Sequence, residues 1–157
     1  MKRWLAYGAI LLAVVLLVKD EDRPGMDVAK LEPARIISVE EKMGGVLLQT
    51  DMGHSGWGRD LNTAVSDMES TAAGQVFLDT AEYLLVSPGA VRWMPELSEM
   101  LRRSCQICLV DNAPDLKMAA EYLSAHKPGY TLGDWQKGDT DLPVLYYLEE
   151  RMYLAKP

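Results

Sequence analysis

Hydrophobic and polar positions along this chain change period several times, and each change predicts an element. The first apolar run, Trp4 to Val18, is unbroken by any polar face. Two short segments, Ala34 to Glu40 (ARIISVE) and Val46 to Thr50 (VLLQT), are rich in β-branched and aliphatic residues. Lys42-Met43-Gly44-Gly45 between them supplies turn chemistry, so the pair predicts a β-hairpin. The tract Asp51 to Asp60 (DMGHSGWGRD) is glycine-rich and reads as a loop. Beyond it, Leu61, Ala64, Val65, Met68 and Ala72 repeat at helical spacing, with Asp60 placed to cap the helix.

Two apolar segments follow, in QVFLDTAEYLLVSPGA, separated by Asp79-Thr80-Ala81-Glu82. They read as strand segments joined by a polar break. Pro95 suits the first turn of a second helix that presents Trp93, Leu97, Met100 and Leu101 on one side. Cys105 to Val110 predicts a short buried strand. Asp111 or Asn112 then caps a third helix with Leu116, Ala119, Ala120 and Leu123 as its stripe, ended by Pro128-Gly129. A loop and one or two last helical turns are expected from Leu142 to Leu154. The sum is a single small α/β domain over residues 24–157, with helices packed on a mixed sheet.

The N-terminal run changes the picture of location. Lys2 and Arg3 precede 15 uncharged residues, and charges return at Lys19. This is the layout of a signal sequence, shorter than the roughly 20 residues of an ordinary spanning helix. No small-x-small site precedes Lys19, so residues 1–23 predict an uncleaved signal-anchor and charged spacer. The basic end lies inside, and the domain lies outside the cytoplasm.

Composition narrows the partners. Of 157 residues 48% are apolar and 25% charged, with a net charge of −7. Such a chain is globular rather than disordered. Residues 1–23 hold four basic and three acidic residues, so the remainder is more acidic still. Nucleic acid is excluded as an expected partner, because no basic stripe is present to neutralise phosphates.

Candidate chemistry is sparse. Asp79-Thr80-Ala81 is close to the Asp-Thr-Gly of aspartic proteases, which need two carboxylates sharing a proton. Alanine stands where that motif has glycine, and three residues of extended chain separate Glu82 from Asp79 onto opposite faces. Cys105 and Cys108 form a C-x-x-C, but inside an apolar strand rather than at a helix N-terminus, and read as buried small hydrophobes. Gly53 to Gly58 (GHSGWG) is neither G-x-S-x-G nor a P-loop. Two histidines, His54 and His126, are too few for a metal cluster, and no cofactor is implied. Trp57 is the strongest contact residue, with His54 and Arg59 beside it and Asp79 and Glu82 as further polar candidates. Trp135, Tyr146, Tyr147 and Tyr153 read as packing with a partner-facing edge.

Set in order, these elements resemble the first domain of the spore germination Ger(x)C family, the C subunits of germinant receptors, over residues 31–135. LEPARIISVEEKMGGVLLQTD is similar to that family's early strand pair, and LNTAVSDMES to its amphipathic helix. QVFLDTAEYLLVSPGA followed by WMPELSEMLRRSCQICLVDNAPDLKMAAEYL is similar to its strand, polar break, strand, helix, strand and helix. The family's lipid-accepting cysteine, its early Trp-Asp pair and the histidine of its polar break are absent here, and the length accommodates only the first of its domains. The resemblance implies an envelope-tethered, non-enzymatic protein of a spore-forming-type Gram-positive bacterium. An orderly core signal with no convergent nucleophile, base or metal set points to a module that assembles with other envelope or membrane proteins, docking through helix faces and the Gly53–Arg59 loop. The alternatives are a small aspartic-type hydrolase using Asp79 and a secreted thiol protein using Cys105 and Cys108.

Overall fold

The computed structural model describes residues 31–148 and 151–156. The expected signal-anchor and spacer, residues 1–23, lie outside the described residues. In chain order the elements are β1 (Leu31–Pro33), β2 (Ile36–Lys42), β3 (Gly45–Thr50), β4 (Ser55–Gly58), α1 (Leu61–Thr71) and β5 (Gln75–Phe77). A 3-10 turn (Leu78–Thr80), β6 (Tyr83–Val86), a 3-10 segment (Pro88–Trp93), α2 (Met94–Met100), β7 (Gln106–Leu109) and α3 (Leu116–Ala125) follow. The chain closes with α4 (Leu132–Trp135), β8 (Val144–Leu148) and β9 (Arg151–Ala155).

Seven strands form one mixed sheet in the order β4-β3-β2-β6-β7-β8-β9, while β1 and β5 pair in parallel as a separate two-stranded ribbon. The centre, β2-β6-β7-β8, is parallel; β4-β3-β2 at one side and β8-β9 at the other are antiparallel. Strand β6 is central and buried along all four residues, which is why its sequence, YLLV, is a continuous apolar run rather than an alternation. The predicted hairpin is present. Lys42 pairs with Gly45 around a two-residue turn in which Met43 and Gly44 both have positive φ, 53° and 76°. Such turns match the twist of the strands they join.

Each face of the sheet carries its own core. Ile37, Val39, Leu48, Leu84, Val86 and Ile107 pack on one side with Leu61, Ala64 and Met68 of α1, Met94 and Leu97 of α2, and Leu132 of α4. Ile36, Tyr83, Leu85, Cys108 and Leu145 pack on the other with Ala119, Ala120 and Leu123 of α3. The predicted stripes of the first and third helices are therefore the core-facing stripes. Asp60 caps α1 as expected, its carboxylate accepting from the Thr63 amide at 2.8 Å.

Several expectations are corrected. The tract Asp51 to Asp60 is not all loop: it contains β4, because its glycines serve packing. A Cβ on Gly56 would run into Ala64 O and the Met68 amide, so only glycine lets α1 lie against this strand. The third helix is capped by Asp115, which accepts from the Met118 amide at 2.9 Å, rather than by Asp111 or Asn112. The last segment is a β-hairpin, not helical turns: Leu148 pairs with Arg151 and Val144 with Ala155. The break between β5 and β6 is a 3-10 turn, and the two segments it joins belong to different sheets. Helix α4 and strand β1 have no counterpart in the predicted elements.

Candidate functional site

The sequence-predicted residues fall into three separate places. His54 ends the turn after β3, where Thr50 N–H donates to its carbonyl at 2.9 Å. It lines an open groove of about 490 Å³ together with Glu40, Gln49, Asp51, Asp115 and Lys117. Among the described residues no group of three histidine, cysteine or acidic side chains is placed to hold a metal ion.

Trp57 sits on β4, three residues further on. Its indole Nε1–H donates to Lys42 O at 3.1 Å, and its main-chain N–H donates to the Asp67 carboxylate of α1 at 2.9 Å. It is 42% exposed, with Arg59 exposed just beyond the strand. The alternation along β4 places Gly56 and Gly58 against α1, so Trp57 and Ser55 face the other side of the sheet.

Asp79 and Glu82 lie at the break before β6. Asp79 is exposed on the 3-10 turn, and Glu82 faces Arg35 at 3.6 Å. The turn is held by other groups: Thr80 Oγ1 donates to Phe77 O at 2.8 Å, and the Arg102 guanidinium donates to Thr80 O at 2.8 Å and Ala81 O at 3.1 Å. The shape of this break is thus set by a hydroxyl and a guanidinium bound to main-chain oxygens.

The two cysteines point to opposite faces, Cys105 into one core and Cys108 into the other. Both are free thiols, and burial pushes both up to about 12. At neutral pH they are protonated, whereas the nucleophile and metal ligand is the thiolate.

The segment expected as last helical turns from Leu142 to Leu154 is instead the β8-β9 hairpin, and its geometry exposes aromatic surface. Leu145 is buried against α3, so by alternation Tyr146 and Leu148 project to the opposite face of β8, and Tyr153 joins them from β9 through its pairing with Tyr146. Tyr146, Leu148 and Tyr153 are 41%, 61% and 50% exposed. With Tyr147 on the other face they make four of the eight exposed large hydrophobics among the described residues. The signal available beforehand was the alternation in VLYYL and RMYLA. Trp135, by contrast, is half-buried against the first core.

No protein-family model matches this chain, and neither a curated protein nor a solved structure matches it.

Proposed function

We propose that this chain is a non-enzymatic interaction module of the bacterial envelope, related to the first domain of the Ger(x)C germinant-receptor subunits. Residues 1–23 tether it to the membrane, and the α/β domain outside the cytoplasm assembles with other envelope or membrane proteins. The observation that carries the reading is the exposed face of the β8-β9 hairpin, where Tyr146, Leu148 and Tyr153 cluster at a sheet edge. Tyrosine supplies large, stiff contact area and is enriched where binding energy concentrates. The helix stripes expected to dock partners are occupied by the core, so the hairpin replaces them as the principal contact surface. Trp57 and Arg59 form a secondary one at the far edge. Among the described residues no helix is long and apolar enough to cross a membrane, which leaves tethering to residues 1–23 in this proposal.

The test is recovery of partners from membranes with the full chain and with a Tyr146→Ala/Tyr153→Ala variant. Proteins captured by the wild type and lost with the variant support the hairpin as the contact; an unchanged set removes it.

A further inference from the structure

Cations are outnumbered on this chain, 16 against 23 acidic residues, yet three of them line one cavity. It holds about 300 Å³ at the end of the sheet where β2, β6 and β7 begin. Arg35, Arg102 and Lys127 line it, with the hydroxyls of Ser104 and Ser124 and a single acid, Glu82. The lining thus carries a net charge of +2 within a chain of net −7.

The cations are held in different ways. Arg102 spends two of its five donors on the carbonyls of Thr80 and Ala81, which fixes its plane and leaves three donors uncommitted by those bonds. Arg35 meets Glu82 at 3.6 Å, a loose pair with both side chains more than 40% exposed. Such pairs are worth little and yield readily to a stronger anion. Lys127 follows the C-terminus of α3, whose carbonyl end opposes an anion, so the side-chain cations must carry any anion binding. Planar guanidinium forks match tetrahedral oxyanions, a lysine adds a point charge, and the Ser104 hydroxyl completes the donor set, since the Ser124 hydroxyl already donates to Glu121 O at 2.7 Å.

From this arrangement we infer that the cavity lined by Arg35, Arg102, Lys127, Ser104 and Ser124 binds a phosphate group, as a free phosphate monoester or as a lipid headgroup. A dianionic phosphate balances the net lining charge. The site is separate from the hairpin and does not depend on the docking role proposed above.

The experiment follows amide shifts of the full chain in three titrations at constant ionic strength: inorganic phosphate, glycerol phosphate, and phosphatidylcholine vesicles with and without phosphatidic acid. Saturable shifts at Ser104, Gln106, Ser124 and Lys127 are expected. Lys127→Ala, an exposed change, is expected to weaken binding about tenfold, and Glu82→Gln to tighten it. Saturation by the two soluble phosphates assigns a free ligand; Lys127-dependent binding to phosphatidic acid vesicles alone assigns a headgroup. Shifts that do not saturate, or that are the same in wild type, Lys127→Ala and Glu82→Gln, overturn the site and leave the cations as neutralisers of main-chain oxygens.

Discussion

The two edges of the seven-stranded sheet are built on opposite plans. At the β4 edge, glycines bring α1 against the strand, Asp67 takes the Trp57 main-chain N–H, and Lys42 O takes its indole N–H. A side chain covering an edge donor is a recognised way to stop a sheet from adding another strand. At the β9 edge the Leu154 N–H meets the Tyr122 hydroxyl at 3.2 Å, but beside it Tyr146, Leu148 and Tyr153 stand in solvent. One edge is closed by polar caps and a helix, and the other carries apolar surface outward. The β4 edge is the better covered of the two, although Trp57 leaves 42% of its surface exposed there, and the β8-β9 side holds the larger cluster of exposed apolar side chains.

The largest expected break of this contrast comes from Gly56→Ala. Its Cβ meets main-chain atoms of α1, which cannot move without shifting the helix, so a loss of about 2–3 kcal/mol is expected. Ala155→Val adds bulk to exposed β9 and is expected to stay within about 0.5 kcal/mol. Urea midpoints of the full chain compare the two. Equal losses would mean that the edges are equally packed and would end the contrast.

Next in size is Asp67→Ala, which removes the acceptor of the Trp57 N–H at a cost of about 1 kcal/mol. Its sharper readout is association. An uncovered β4 donor should raise the apparent mass with concentration in light scattering, whereas Asp67→Asn, which keeps an acceptor oxygen, should not. No difference between the two variants would show that Asp67 does not protect the edge.

How much of this was legible in the sequence depends on whether each feature is local. The β2-β3 hairpin and α1 were readable because their signals, turn glycines and a helical stripe capped by Asp60, lie within a dozen residues. Strand β4 was hidden because Gly56 and Gly58 look like turn residues; they answer to a helix that follows them, and only the assembled contact reveals it. The C-terminal hairpin is hidden because Glu149-Glu150 carries no turn signal, and Leu145, Leu148 and Met152 also suit a helical spacing. Strand β1 is three residues long and meaningful only through its pairing with β5. The candidate contacts divide likewise. Trp57 could be singled out by its setting, but the basic cavity joins Arg35, Arg102 and Lys127, which only the parallel strand order brings together.

A smaller effect on stability, with a large one on binding, is expected at the open edge. Tyr146→Ala/Tyr153→Ala deletes one cross-strand aromatic pair, worth about 0.2–1 kcal/mol, from an exposed face. The fold should survive with a nearly unchanged urea midpoint while capture of membrane partners is lost. A large drop in the midpoint would instead make the hairpin face part of the core and count against its contact role.

The smallest effect is the acid limb, and it separates the cap behind the closed edge from one elsewhere in the domain. Thr63 hydrogen bonds hold Asp60 below the usual carboxylate range at the start of α1, and Thr131 and Lys137 hold Asp134 at about 2 at the start of α4. Both carboxylates are favoured in their charged form by the fold. Their contribution is therefore fully present above about pH 4, the unfolded value, and lost as pH falls through the folded values, for Asp134 near 2. Both are solvent-facing, so the change should be slight. Asp60→Ala, which removes the capping acceptor, should flatten the decline of the urea midpoint between pH 5 and pH 2 and leave amides of β4 less protected from exchange, because α1 is the helix packed on that strand. Asp134→Ala should flatten the same decline without touching β4. An identical exchange pattern in the two variants would mean that the cap on α1 does not support the closed edge.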